Sequence, residues 1–301
     1  MSASTSNLET TCPYCGVGCG VSAKLQDDSI IAVSGDKTHP ANYGALCVKG
    51  SALHETMGDH GRLLYPSVNG QRVDWDTALD TVAERLNEVR EEHGPDAIAF
   101  YLSGQLLTED YYVANKLAKG FLGTGNVDTN SRLCMSSAVA SYKRAFGADA
   151  VPCSYEDLDH CDLLILVGSN AAWTHPVLYR RMAAAKKRNP TMRVVVIDPR
   201  RTASCDLADL HLSINPGADG YLFAGLLAWL QQTGASRSEY IAQHTEGYRE
   251  ALEAANAISF AETARLVGLE TDVLETFYQW FAETDKTITF YSQGINQSSS
   301  G

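Results

Sequence analysis

The spacing of apolar residues changes near residue 75. Before it, short alternating runs, S-A-K-L and S-I-I-A-V-S, predict small strands joined by a turn at Asp27-Asp28. Beyond it, Ala78, Leu79, Val82, Ala83, Leu86 and Val89 recur at helical spacing and predict a helix over 76–92, stopped by Gly94. Residues 97–102 read as a buried strand. S-G-Q-L-L-T-E-D follows, with Thr108 capping a helix to about Leu122. A small-residue helix is predicted over Ser136–Phe146. D-L-L-I-L-V (162–167), R-V-V-V-I-D-P (193–199) and L-H-L-S-I predict three further strands, with a helix from Pro176 to about Lys187 after the first. A helix begins near Gly220, and the segments 222–232, 238–244, 249–255, 260–266 and 272–282 read as helical scaffold. Thr287–Tyr291 returns to a strand. This strand–helix–strand order predicts an α/β fold with a parallel sheet and ligand-binding loops at the strand C-terminal ends.

Composition narrows the class. A chain of 301 residues suits about two domains, and 45% hydrophobic with 20% charged residues is ordinary for a globular protein. A net charge of −12 argues against nucleic acid as a partner. The longest apolar run, 222–230, is too short to span a membrane. The opening M-S-A-S-T-S-N-L-E-T-T has no basic or apolar signal segment, so the expected location is cytoplasmic, with the cysteines as ligands or buried thiols. The chain stops one loop past a strand, which reads as a cut from a longer polypeptide.

Cys12, Cys15, Cys19 and Cys47 have the spacing C-x2-C-x3-C-x27-C. Three thiolates on one short loop and a fourth from a distant turn suit the four corners of a [4Fe–4S] cube. Gly16, Gly18 and Gly20 would let the loop fold tightly and its amides approach the sulfides. A structural zinc site also takes four cysteines, but usually as two matched C-x2-C knuckles; unligated thiols are the third reading. Lys49, two residues past the fourth cysteine, is a cation near the cluster or a plain surface lysine. A small unit of this kind needs a metal centre for stability.

Other candidates lie in the α/β part. Cys134 precedes the helix at Ser136, where the positive end of the helix dipole favours a thiolate suited to nucleophilic attack or soft-metal ligation; a buried small residue is the plain alternative. Gln105 lies in a strand-to-helix loop, as a ligand contact or facing water. The first loop of the later βαβ unit has only Gly168 and lacks G-x-G-x-x-G, which weakens a dinucleotide reading of the usual kind. Asp198 ends the second strand, where such folds hold a ribose or base edge, and Arg200 and Arg201 follow as phosphate ligands or surface residues. Cys153, Cys161 and Cys205 read as core or loop thiols.

C-P-Y-C-G-V-G-C-G…C-V-K-G, S-G-Q-L-L-T-E-D-Y-Y, D-T-N-S-R-L-C-M-S-S-A and V-I-D-P-R-R-T together resemble the molybdopterin oxidoreductases of the dimethyl sulfoxide reductase type, and within them bacterial assimilatory nitrate reductases, over essentially the whole chain. The resemblance implies a small β-rich [4Fe–4S] domain (1–61), the first part of a central α/β pterin-binding domain (62–145), a Rossmann-like guanine-dinucleotide domain (146–284) and the start of a return into the central domain (285–301), truncated at the C-terminus. It implies a [4Fe–4S] cluster on Cys12, Cys15, Cys19 and Cys47, and a molybdenum bis(molybdopterin guanine dinucleotide) with Cys134 on the metal. Lys49 would lie between cluster and pterin and assist electron transfer. Gln105, Asn130, Gln293 and Gln297 would contact pterin. Gly168, Ser169, Asn170, Asp198, Arg200, Pro216, Gly217 and Asp219 would hold guanine nucleotides.

The implied reaction is reduction of nitrate to nitrite by oxygen-atom transfer at molybdenum. Electrons would come from a flavoprotein subunit, ferredoxin or flavodoxin through the cluster. Met135, rather than histidine, after the metal cysteine favours nitrate over formate, since a thioether handles no proton. Arg132 is a candidate for drawing in the anion. A formate dehydrogenase-like enzyme and a non-catalytic iron–sulfur electron-transfer subunit are the competing readings.

Overall fold

The computed structural model describes residues 5–27 and 29–299. The chain divides into two compact units, Met1–Arg132 and Leu133–Gly301.

In the first unit, β1 (Thr5–Thr11), β2 (Gly20–Gln26) and β3 (Ser29–Gly35) form an antiparallel sheet in that order. β1 is polar and fully exposed, so no apolar pattern announces it; it exists by pairing with β2, from Thr5 opposite Gln26 to Thr11 opposite Gly20. Asp27 turns the chain with φ of +48°, while Asp28, the other residue of the expected turn, lies outside the described residues. A two-residue hairpin, β4 (Ser67–Val68) with β5 (Gln71–Arg72), precedes helix α1 (Trp75–His93). Asp74 caps α1 by accepting from the Thr77 amide at 2.8 Å, and Gly94 ends it at φ +84°. The expected helix is therefore present, but Leu79 and Val82 on its apolar stripe stay exposed.

Two expectations fail here. The strand over 97–102 is shorter, β6 (Phe100–Leu102), and is not buried: Tyr101 is 69% exposed. Among the described residues it pairs only with β7 (Val127–Thr129), in parallel, and a sheet two strands wide leaves its faces open. Thr108 is the first residue of α2 (Thr108–Asn115) rather than its cap; the Asp110 carboxylate instead accepts from the Leu107 amide at 3.1 Å. The chain continues as a π-helical stretch, Lys116–Leu122.

The second unit opens with α3 (Ser136–Phe146), as expected. Its sheet is fully parallel, with β8 (Leu163–Val167), β9 (Arg193–Ile197), β10 (Leu210–Leu212) and β11 (Thr287–Tyr291) in the order β10-β9-β8-β11. The final strand thus extends the sheet beside β8. Every residue of β8 is buried. Alternation sends Leu163, Ile165, Val167, Val195, Ile197 and Leu212 into one core with side chains of α5 (Asp219–Gln232), α7 (Phe260–Val267) and α8 (Thr271–Glu283). Burying each such side chain stabilises by roughly 1.5–3 kcal/mol. Gly225 on α5 allows the close packing: a Cβ there would stand 2.7 Å from both Thr263 Cγ2 and the Tyr278 hydroxyl. That hydroxyl donates to Leu222 O at 2.6 Å. α6 (Tyr248–Asn256) packs on α5, and α4 (Pro176–Arg188) buries Val177, Leu178, Met182 and Ala185.

Candidate functional site

The first three cysteines lie on the loop of the β1–β2 hairpin. Thr11 and Gly20 form the last strand pair, and the Cys12 amide donates to Cys19 O at 2.8 Å as the next rung. Cys15 is in the turn, where Gly18 N–H donates to Cys15 O at 3.2 Å with φ of +65°. Of the three flanking glycines only Gly18 uses positive φ; Gly20 is required for space, since a Cβ would meet the His39 ring carbon at 2.4 Å. Cys47 stands at the start of a helical turn, Val48–Ser51.

A residue that spacing does not flag joins the two cysteine segments. Asn42, 5% exposed, accepts from Gly20 N–H at 2.8 Å and donates to Gly20 O at 3.1 Å and Ala45 O at 2.9 Å. It ties the residue after Cys19 to the one two before Cys47. Burial, then the charges of Cys15, Cys12 and Cys47, push the Cys19 thiol up to about 11. No three His, Cys, Asp or Glu side chains among the described residues converge as a set for a single metal ion. The fit to a four-iron cube is one of donor chemistry: four cysteine thiols, three on one short loop and one from a distant turn, offer one sulfur for each iron corner.

Lys49 is exposed, with Nζ 5.6 Å from the centre of the Tyr14 ring in the cysteine loop. Gln105 donates through Nε2 to Tyr14 O at 2.5 Å. The Gln105 loop is held in turn by Asn130, whose Oδ1 accepts from Gly104 N–H at 2.5 Å. Gln105, Asn130, Tyr14 and Lys49 are thus linked within one unit. Arg132, expected to draw in an anion, is exposed and paired with Asp128 at 3.2 Å.

In the second unit Cys134 closes a single helical turn, with Met135 at the N-cap of α3. Gln293 Nε2 donates to Cys134 Sγ at 2.9 Å, and Gln297 Nε2 stands 3.8 Å from the same sulfur. Gly294 packs against Gly168, at the end of β8: a Cβ on Gly168 would be 2.7 Å from Gly294 Cα, and Gly294 N–H donates to Gly168 O at 3.0 Å. Asn170 accepts from Ser204 Oγ at 3.1 Å. Asp198 and Asp219 are buried, and Asp198 Oδ1 accepts the Arg200 amide at 2.8 Å. Burial, and then the neighbouring Asp198 charge, raises the Asp219 carboxyl above the usual range. Pro216 and Gly217, the latter at φ +80°, form the turn into Asp219 at the start of α5.

Among the described residues of this unit, three buried polar atoms lack a protein partner: Ser169 Oγ, Thr202 Oγ1 and Asn296 Oδ1. They follow β8, β9 and β11 respectively. Unpaired buried polar groups are costly, and their gathering at the strand C-terminal ends fits a polar ligand such as a dinucleotide. Thr202 and Asn296 went unflagged by the sequence, although both lie in strand-end loops. Cys161 and Cys205 are buried, as the core reading expects, with the Cys161 thiol pushed up to about 11 by burial; Cys153 is exposed. No helix among the described residues is long and apolar enough to cross a membrane.

Residues 6–59 match the Fe4S4 domain of molybdopterin oxidoreductases, and residues 62–301 match the molybdopterin oxidoreductase model. The chain is 56% identical over 292 residues to a nitrate reductase of Klebsiella oxytoca, covering 97% of this chain and 33% of that protein. It is 50% identical to a nitrate reductase of Shewanella frigidimarina, covering 98% and 32%. It thus spans about a third of the length of these relatives. The acetylene hydratase of Pelobacter acetylenicus shares the fold, with a TM-score of 0.82 at 22% identity over 95% of this chain and 40% of that one. With a four-cysteine hairpin domain, a parallel sheet whose last strand-end turn reaches Cys134, and family models matched over 6–59 and 62–301, the chain belongs to the molybdopterin oxidoreductases.

Proposed function

We propose that this chain is the N-terminal part of a longer molybdenum-dependent nitrate reductase. The reaction would be NO3− + 2 e− + 2 H+ → NO2− + H2O. The observation that carries this reading is the meeting of Cys134 with the Gln293–Gln297 turn, whose Gly294 packs on Gly168 of the nucleotide loop. A soft-metal thiolate and a dinucleotide cradle thereby share one edge of one sheet. The names of relatives at 56% and 50% identity favour nitrate as substrate. Met135 favours it over formate, because nothing in a thioether moves a proton.

When bound, the molybdenum cofactor supplies two-electron oxygen-atom transfer and the cluster supplies one-electron steps. The residues of this chain hold and orient those groups. Cys12, Cys15, Cys19 and Cys47 hold the cluster, and Asn42 fixes the two segments that carry them. Lys49 and Gln105 flank the cluster loop through Tyr14. Cys134 takes the metal. Asp198 and Asp219 would offer acceptors to the donor edge of a guanine and Arg200 a positive charge to a phosphate; Ser169, Thr202 and Asn296 offer polar atoms without a protein partner. A bis(guanine dinucleotide) cofactor, a flavoprotein, ferredoxin or flavodoxin donor, a role in nitrate assimilation and a cytoplasmic setting belong to the same proposal.

The test is metal content with paired assays on the longer enzyme, purified without oxygen. About four irons with molybdenum, and nitrite formed from nitrate under a reduced viologen dye, are expected. Cys134→Ser is expected to cut nitrite formation by more than the ~10–100-fold typical of partners one shell further out. Formate oxidation without nitrate reduction, or zinc in place of iron, would overturn the reading.

A further inference from the structure

We propose that Gln293 tunes the reduction potential of the metal centre by donating an amide hydrogen bond to the Cys134 sulfur. This rests on the reading of Cys134 as the molybdenum-binding thiolate and goes beyond it. Two independent ties fix the donor. Ser292 N–H donates to Val167 O at 3.2 Å and Gly294 N–H donates to Gly168 O at 3.0 Å, so Gln293 is pinned on both sides to the end of β8. On the other side, the Tyr291 hydroxyl donates to the Tyr142 hydroxyl at 2.6 Å, joining β11 to the same helix that Cys134 precedes. The amide therefore reaches the sulfur from a fixed turn.

Hydrogen bonds to ligating sulfurs withdraw charge from the thiolate and weaken its donation to the metal. The more reduced metal gains most from that weakening, so the donor raises the potential. One N–H goes to the sulfur at 2.9 Å, leaving the second N–H and the carbonyl oxygen of Gln293 for a pterin. Gln297, at 3.8 Å, is a weaker second donor. Gln293 is a positioning and tuning residue rather than a catalytic one.

The experiment is a redox titration of the molybdenum EPR signal in the longer, loaded enzyme. Gln293→Leu keeps the bulk and loses the donor. It is expected to shift the one-electron equilibrium about tenfold toward the oxidised form, a fall of ~59 mV. Gln293→Glu, which has only acceptors when ionised, is expected to shift it further, and Gln297→Leu less than Gln293→Leu. Potentials unchanged in both position-293 variants at full molybdenum content would overturn the proposal, as would loss of molybdenum from both, which would make Gln293 a retention residue. X-ray absorption of Cys134→Ser separates this from the underlying reading. An unchanged count of sulfurs on molybdenum there sinks the metal–Cys134 assignment itself, whatever the potentials do.

Discussion

A buried carboxylate beside another carboxylate is costly to ionise, and Asp219 is in that position. Its carboxyl is raised by burial and by Asp198. Above an ordinary aspartate pKa of about 3.9, the unfolded chain releases a proton that the folded chain still holds. Stability present below that pH is lost as pH rises through the raised folded value. Asp219→Asn removes the penalty. The unloaded variant is expected to melt above the parent chain at pH 7 and level with it near pH 3.5, by differential scanning calorimetry. Removing a charged acceptor costs ~1.5–3 kcal/mol at a donor edge, so the same variant is expected to hold its guanine nucleotide at least about tenfold less well, by equilibrium dialysis. A site that trades stability for a ligand gives these two opposite signs. A merely structural aspartate gives the same sign in both.

At the scale of elements, α4 is anchored to the turn before β8 by one carboxylate. Asp159 accepts from Arg181 Nε at 2.8 Å and Nη2 at 2.6 Å, and from Arg188 Nη2 at 2.7 Å. Burial alone would raise this carboxyl, but the two guanidinium groups hold it below the usual range. Its contribution is therefore present above about pH 4 and lost as pH falls through the lowered value. Asp159→Asn is expected to cost about 2 kcal/mol at pH 7 and much less at pH 2.5, by urea titration. Elements of this unit were legible because V-V-V-I and L-L-I-L-V admit little but buried strands, and Gly147, at φ +77°, ends α3. β1 was not legible, since T-S-N-L-E-T-T has no apolar face and becomes a strand only by pairing. The four-cysteine pattern could be read from spacing, and Cys134 was singled out by its place before a helix and by the resemblance of its motif. The Asn42 clip, the Gln105–Tyr14 bond and the unpaired Thr202 and Asn296 atoms could not, because each depends on which backbone groups meet in three dimensions.

At the scale of the whole chain, the two units rest on different physics. The unit from Leu133 onward has a continuous apolar core with β8 and β9 at its centre. In the other, few residues are buried: Val17, Val21, Ala23, Ala41, Ile98, Ala118 and Leu122, with Cys12 and Cys19 among the rest of its apolar interior. Two of the four thiols are thus themselves core residues of a unit with little other core. A ligand that binds only the folded form stabilises it, and four metal–sulfur bonds across a hairpin and a distant turn cross-link what packing holds weakly. Two thermal transitions are therefore expected by calorimetry under nitrogen. Removing iron with a chelator should lower the first by at least about 5 °C, the shift of ~1 kcal/mol in a unit of this size, and leave the second in place. Asn42→Ala should lower the first in the same way even with the cluster bound. A single transition that moves as a whole on iron removal would show that the units fold as one and that the cluster's stabilisation is shared by the entire chain.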